Sequence, residues 1–293
     1  MMKTIMSVGV VCSLVASISV GKPPIEVDRI LTQERATIRL WPIDQVGGEE
    51  NRLKLDKTYR GKLRLENVKD PHITVFPAQR GDKPTPAVIY CPGGGYKHLT
   101  PRPELLKWLN DSGITVFMLN YTVPDDREAA IKDVQRAMRL VRHQSEKWHI
   151  DPNQLGVIGS SAGGHLVARL SQNYKKRAYS AIDAADNASA EPAFVILMSA
   201  AYLYIKEGRK TVAEFEEVFS MEGKIAPTFL VYGKKDRNFF AGGIAYEKAL
   251  KAIGTQTHIV ISETGGHGLV NVDWYPECYQ WLKGLGVNLS PRG

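Results

Sequence analysis

The run Leu155-Gly156-Val157-Ile158-Gly159-Ser160-Ser161-Ala162-Gly163 decides how this chain is read. Its first four residues predict a short buried strand, the residues after it can be helical, and Gly-x-Ser-x-Gly stands at the junction. A strand that turns abruptly into a helix holds its turn residue in a strained backbone conformation, and flanking glycines remove the side chains that would block the turn. Ser161 then projects its hydroxyl away from the sheet, which makes it the candidate nucleophile.

A serine hydroxyl attacks poorly at neutral pH and needs a histidine base, itself oriented by a carboxylate. Downstream, Pro227–Gly233 reads as a buried strand followed at once by Lys234-Lys235-Asp236. Thr257–Ser262 reads as another, followed by Glu263-Thr264-Gly265-Gly266-His267-Gly268. Asp236 and His267 thus each sit just past the C-terminal end of a strand, where open parallel sheets place their sites, and they follow the serine in the order acid, then base. Among the other histidines, His165 lies four residues after Ser161 and reads as a packing or capping group, and His258 falls within a strand. His72, His98, His143 and His149 precede the serine. Glu263 and Asp273 are alternatives for the acid, close to His267 in sequence, but neither ends a strand; a solvated turn among lysines is the other reading of Asp236.

Attack on an ester carbonyl puts negative charge on its oxygen, and preorganised donors must meet it. The apolar strand Pro86–Cys91 runs into Pro92-Gly93-Gly94-Gly95-Tyr96, three successive residues without Cβ that let backbone amides face a ligand closely. The amides of Gly93 and Gly94, with that of Ala162 just after the nucleophile, are the candidate oxyanion donors, and Gly95 is a substitute.

These residues, together with Val68-Lys69-Asp70-Pro71, Trp108-Leu109-Asn110, Asp133–Ala137, Ile150-Asp151-Pro152, Ser161–Leu166 and Gly265–Gly268, give the chain a broad resemblance to the α/β-hydrolases of the acetyl-xylan-esterase type. The resemblance implies an α/β-hydrolase fold, a mostly parallel central sheet with helices on both faces. At the matching positions it implies Ser161 as nucleophile, Asp236 as acid and His267 as base, in agreement with the reading of the residues themselves. The implied activity is a serine esterase that takes a short acyl group, above all acetyl, from a carbohydrate ester such as acetylated xylan. The same fold could instead act on a feruloyl ester, an aryl-formamide or a small peptide, or serve as a non-catalytic binding protein. Three departures fall near the expected pocket. Ser160 stands where the family has a bulky residue, Thr122 where it commonly has arginine, and Ser199-Ala200-Ala201-Tyr202 where it tends to show Tyr-Pro.

Near-continuous apolar strands ending near Cys91, Tyr121, Gly159, Ser199, Gly233 and Ser262 alternate with helical stretches, as in a parallel sheet buried on both faces. In residues 126–142, Ile131, Val134, Met138 and Val141 recur at helical spacing, while Lys132, Asp133, Arg136 and Arg139 take the other side, Arg136 as a solvated or internally paired charge rather than an anion site. Residues 22–83 read as an N-terminal extension in which Lys62–Leu65 and Ile73–Phe76 form the antiparallel edge of the sheet. Residues 173–191 read as a surface excursion. Residues 203–226 make a second one, with Val212, Phe215, Val218 and Phe219 at helical spacing.

A chain of 293 residues with 43% hydrophobic content fits one such domain over 22–293 behind a targeting segment. Residues 1–21 read as a signal peptide: Lys3 supplies the positive start, Ile5 to Val20 the apolar stretch, and Ser19-Val20-Gly21 the small-residue cleavage site. The expectation is an exported protein, periplasmic or extracellular, with no membrane span in the mature chain. Cys91 and Cys278 read as free, buried thiols. No metal-ligand spacing and no dinucleotide-type glycine fingerprint is present, so no cofactor is implied. The net charge of +7 comes from scattered lysines and arginines without a basic stripe, which argues against nucleic acid and leaves an ester substrate as the expected partner.

Overall fold

The computed structural model describes residues 30–46, 52–56, 62–79, 81–207, 210–215 and 219–290. The expected signal peptide lies outside them. In chain order the strands are β1 (Thr37–Arg39), β2 (Arg52–Asp56), β3 (Lys62–Glu66), β4 (His72–Phe76), β5 (Thr85–Cys91), β6 (Thr115–Asn120), β7 (Ile150–Ser160), β8 (Val195–Met198), β9 (Tyr204–Glu207), β10 (Lys210–Phe215), β11 (Thr228–Gly233) and β12 (Thr257–Ser262). The main helices are α1 (Pro103–Asp111), α2 (Arg127–His143), α3 (Ala162–Asn173), α4 (Phe240–Ala252) and α5 (Tyr275–Gly284).

Eight strands form one sheet in the order β1-β4-β6-β5-β7-β8-β11-β12. From β6 to β12 every neighbouring pair is parallel, whereas β1 and β4 join antiparallel at one edge. Alternation within single strands explains the apolar runs. In β5, Ala87, Ile89 and Cys91 enter one core with residues of α2, α3 and α4, while Val88 and Tyr90 enter a second with residues of α1 and α5. Cys91 and Cys278 are buried in these separate cores and are not joined by a disulfide. No helix among the described residues is long and apolar enough to cross a membrane.

Three expectations need correction. Ile73–Phe76 does lie within β4 in the sheet, but Lys62–Leu65, within β3, pairs with β2 in a separate two-stranded sheet. β2 and β3 pair antiparallel with Leu53 opposite Leu65 and Leu55 opposite Leu63, and β1 takes the edge beside β4 instead. Residues 203–226 contain the β9–β10 hairpin where a helix was expected, so the three- and four-residue apolar spacing loses to the strand preference of Tyr204, Ile205, Thr211 and Val212. The polar side of α2 is not solvated as a whole. Asp133, Arg136 and Arg139 are buried, because the segments around Trp41 and residues 173–191 pack over them. Arg136 is internally paired as read, donating to both carboxylate oxygens of Asp183 (2.9 and 2.6 Å), to Asp186 (2.9 Å) and to the Leu40 carbonyl (3.1 Å).

Candidate active site

β7 ends at Ser160 and α3 begins at Ala162, so Ser161 alone makes the turn, with φ 52° and ψ −117°. Its backbone is held on both sides. The Ser161 amide donates to the Met198 carbonyl at 2.9 Å, and its carbonyl accepts from the amides of His165 (3.1 Å) and Ala201 (3.0 Å). The flanking glycines act through space. A Cβ at Gly159 would stand 2.2 Å from the Gly163 carbonyl oxygen, and one at Gly163 would stand 2.0 Å from the Cys91 carbonyl oxygen. Strand, helix and the end of β5 therefore meet backbone to backbone at the serine.

β11 and β12 run parallel in register, Gly233 opposite Ser262, so the loops that follow leave the sheet side by side. The amides of Lys234 and Lys235 donate to the carbonyls of Ser262 (2.8 Å) and Gly265 (2.9 Å), which ties the two loops together. One loop carries Asp236 and the other His267. Asp236 Oδ2 lies 2.7 Å from His267 Nδ1, and His267 Nε2 lies 2.8 Å from Ser161 Oγ. Asp236 is 3% exposed, and its Oδ1 accepts from the amides of Asn238 and Phe239 at 3.1 and 3.2 Å. Burial pushes this carboxyl up, but the hydrogen bond and charge of His267 and the two amides outweigh it and hold the group below the ordinary aspartate value.

The competing side chains lie elsewhere. Glu263 is exposed and pairs with Lys234 at 2.8 Å, Asp273 is exposed, and His258 faces Glu277 at 3.1 Å. His165 is buried, with Nδ1 2.7 Å from the Tyr96 hydroxyl.

The glycine loop lies against the elbow. A Cβ at Gly93 would stand 2.9 Å from the Ser160 carbonyl oxygen and 3.2 Å from Ser161 Cβ. Gly93 is held in an antiparallel bridge to Thr100, whose amide donates to the Gly93 carbonyl at 2.8 Å. Gly94 has φ +139°, and a Cβ there would collide with the His98 carbonyl oxygen at 1.8 Å, so only glycine fits. Among the described residues, neither the Gly94 amide nor the Ala162 amide is spent on a backbone carbonyl. The Tyr121 hydroxyl donates to the Pro92 carbonyl at 2.8 Å and anchors the start of the loop.

Sequence reasoning placed Tyr202 near the pocket only as part of a departure from the family pattern, and it missed Phe239. Phe239 packs on the His267 ring at 4.9 Å, Tyr202 meets Phe239 edge-on at 5.4 Å, and Arg127 lies over Tyr202 at 4.6 Å. Their common signal is position, since Tyr202 follows β8 and Phe239 follows Asp236 on the side of the sheet where the strands end. Spacing within either segment does not single them out. Among the described residues no group of three His, Cys, Asp or Glu is placed to hold a metal ion.

Residues 73–199 match the BD-FAE family model. An acetylxylan esterase of Xylanibacter ruminicola is 28% identical over 218 residues, 68% of this chain and 44% of that protein. An endo-1,4-beta-xylanase B of Butyrivibrio fibrisolvens is 30% identical over 135 residues, 43% of this chain and 20% of that one. The chain thus spans less than half the length of these curated relatives. Among solved structures, an acetyl ester-xyloside bifunctional hydrolase from Caldicellulosiruptor lactoaceticus is similar at a TM-score of 0.69 and 28% identity, covering 86% of this chain and 97% of that one. Esterase 2 of Thermogutta terrifontis shares the fold, with a TM-score of 0.65 in its apo form at 19% identity, covering 84% of this chain and 98% of that one. By its sheet order, by the matched stretch 73–199 and by these likenesses, the chain has the α/β-hydrolase fold and is similar to acetylxylan-esterase-like hydrolases.

Proposed function

We propose that this protein is an exported serine esterase that removes short acyl groups, above all acetyl, from carbohydrate esters such as acetylated xylan. The observation that carries the reading is the continuous hydrogen-bonded path Asp236–His267–Ser161, at 2.7 and 2.8 Å. His267 takes the Ser161 proton as Oγ forms a bond to the ester carbonyl carbon. Asp236 holds the imidazole by Nδ1, keeps Nε2 facing the serine and stabilises the imidazolium that forms. The negative charge moves to the carbonyl oxygen, which the amides of Gly94 and Ala162 receive, with Gly93 beside them. Collapse breaks the bond to the alcohol oxygen, which leaves with the proton from His267. Water then gives a proton to His267 as it attacks the acyl-enzyme carbonyl, and collapse breaks the bond to Ser161 Oγ, which regains that proton from His267 as the carboxylic acid leaves. The likenesses to an acetylxylan esterase and to an acetyl ester-xyloside hydrolase support the acetyl and carbohydrate parts of the reading.

The test is hydrolysis of p-nitrophenyl acetate and of acetylated xylo-oligosaccharides by the purified protein beside Ser161→Ala, with butyryl, feruloyl and long-chain esters as comparators. Acetate release from both substrates, lost by several orders of magnitude in the variant, is the expected result. Turnover of the aryl ester without the oligosaccharide overturns the substrate class, and equal turnover by both proteins overturns the nucleophile.

A further inference from the structure

The two amides offered to the oxyanion come from separate elements, Gly94 from the loop after β5 and Ala162 from the first residue of α3. They lie far apart in the chain, so non-covalent contacts between the two elements set the gap between them. We infer that the hydrogen bond between Tyr96 and His165 fixes this gap, which makes the two side chains positioning residues for acyl transfer; the inference rests on the esterase reading above.

Tyr96 is the second residue after Gly94. Its backbone is left-handed (φ 60°), its carbonyl accepts from the Asp125 amide at 2.7 Å, and its ring turns inward to 1% exposure. The hydroxyl reaches His165 Nδ1 at 2.7 Å. His165 stands one turn into α3, fully buried, and its own amide donates to the Ser161 carbonyl. A directional bond therefore joins the oxyanion loop to the first turn of the nucleophile helix. The imidazole cannot swing to follow a displaced partner, because the rings of Tyr96, Tyr202 and Phe219 meet it nearly perpendicularly at 5.7, 6.0 and 5.5 Å. Apolar residues of similar shape would fill this space without leaving any buried polar atom to satisfy. What the polar pair adds is a fixed length and angle. That matters at an oxyanion hole, where donors must lie about 2.7–3.1 Å from the position the charged oxygen will occupy, and where a misplacement of about 1 Å costs on the order of a hundredfold in rate.

The experiment compares Tyr96→Phe, His165→Asn and Tyr246→Phe for kcat and KM on p-nitrophenyl acetate, for thermal midpoint, and for inhibition by a trifluoromethyl ketone that forms a tetrahedral oxyanion adduct with serine. Tyr246→Phe is the control, since it removes an equally buried hydroxyl bonded to Gln172 at 2.9 Å, from α4. Tyr96→Phe is expected to lower kcat by about tenfold or more at little-changed KM and to weaken the ketone by a similar factor, because both report binding of the charged oxygen. His165→Asn leaves a polar atom near the place of Nδ1 and opens a cavity, so it is expected to lose stability yet keep more of kcat than Tyr96→Phe. A kcat in Tyr96→Phe equal to that of the Tyr246 control, or losses that follow the thermal midpoint across all three variants, overturns the inference. If Ser161→Ala stays active, it is the esterase reading that fails.

Discussion

Asp236 and His267 meet at 2.7 Å, Oδ2 to Nδ1, while the other oxygen of the same carboxylate is occupied by the amides of Asn238 and Phe239. The carboxylate cannot rotate without giving up these amides, so the imidazole is held in the tautomer that turns a bare Nε2 to Ser161.

Asp236→Asn tests this relationship. The amide can present an N–H to Nδ1, which selects the opposite tautomer and leaves a proton on Nε2 where the serine needs a base. If the proposed esterase mechanism holds, the expected fall in kcat is on the order of 10⁴, with the fold retained by circular dichroism. A fall of less than tenfold would show that the carboxylate does not orient the base.

The pH dependence of stability separates two buried carboxyls of opposite sign. Asp236 is held below its ordinary value, so its contribution is present above about pH 4 and is lost as the pH falls through the lower native value. Asp133 behaves the other way. Burial drives it up to about 6 despite hydrogen bonds from the Thr122 amide and hydroxyl and from Trp41 Nε1. The native state then binds the extra proton between about pH 4 and pH 6, and stability falls as the pH rises through that window. Urea unfolding of the wild type and Asp133→Asn at pH 4.5 and pH 7 checks the sign. The wild type should lose roughly 2 kcal/mol relative to the variant on going to pH 7, and a gain instead would mean that the three donors outweigh burial.

The legibility of this molecule follows from how local each signal is. That Ser161, Asp236 and His267 come together was readable because each follows a strand that is visible as an apolar run, and a parallel sheet gathers the C-terminal ends of its strands on one side. The glycine loop was readable for the same reason. The partner of β3 was not, since alternating leucines and charges do not say which neighbour they will meet. The burial of Arg136 was equally hidden, because the chain that covers it lies near residues 40 and 183. Tyr96 and His165 are 69 residues apart and carry no shared pattern; only the fold brings them to 2.7 Å.

Arg136 offers a test of the covering segment. Its guanidinium is 3% exposed and is shared between Asp183 and Asp186, and the Asp186 side chain is itself fully buried. Arg136→Met leaves that carboxylate without its cation, and removing one partner of a buried pair typically costs about 3–5 kcal/mol. The variant should show a markedly lower thermal midpoint while the folded fraction keeps the wild-type kcat, because Arg136 touches none of Ser161, Asp236 or His267. A stable variant would mean that the segment 173–191 is held by its other contacts.

Ser199 carries two local costs at once. It follows β8 with φ 43°, in the left-handed region, and its buried hydroxyl has no hydrogen-bond partner among the described residues. Its amide is used, donating to the Val231 carbonyl at 2.8 Å, so the backbone position is fixed by the sheet and not by the side chain. Ser199→Ala removes the orphaned oxygen and keeps the strain, whereas Ser199→Gly removes both. The gain in stability should therefore rise in the order serine, alanine, glycine, with each step worth about 1 kcal/mol before the entropy that glycine adds to the unfolded chain is counted against the second. Denaturant unfolding of the three proteins measures the order. A loss of stability in Ser199→Ala would show that the hydroxyl has a partner in solution, and the adjacency of Ser199 to the strands that lead to Ser161 and Asp236 would then place that partner near these two residues.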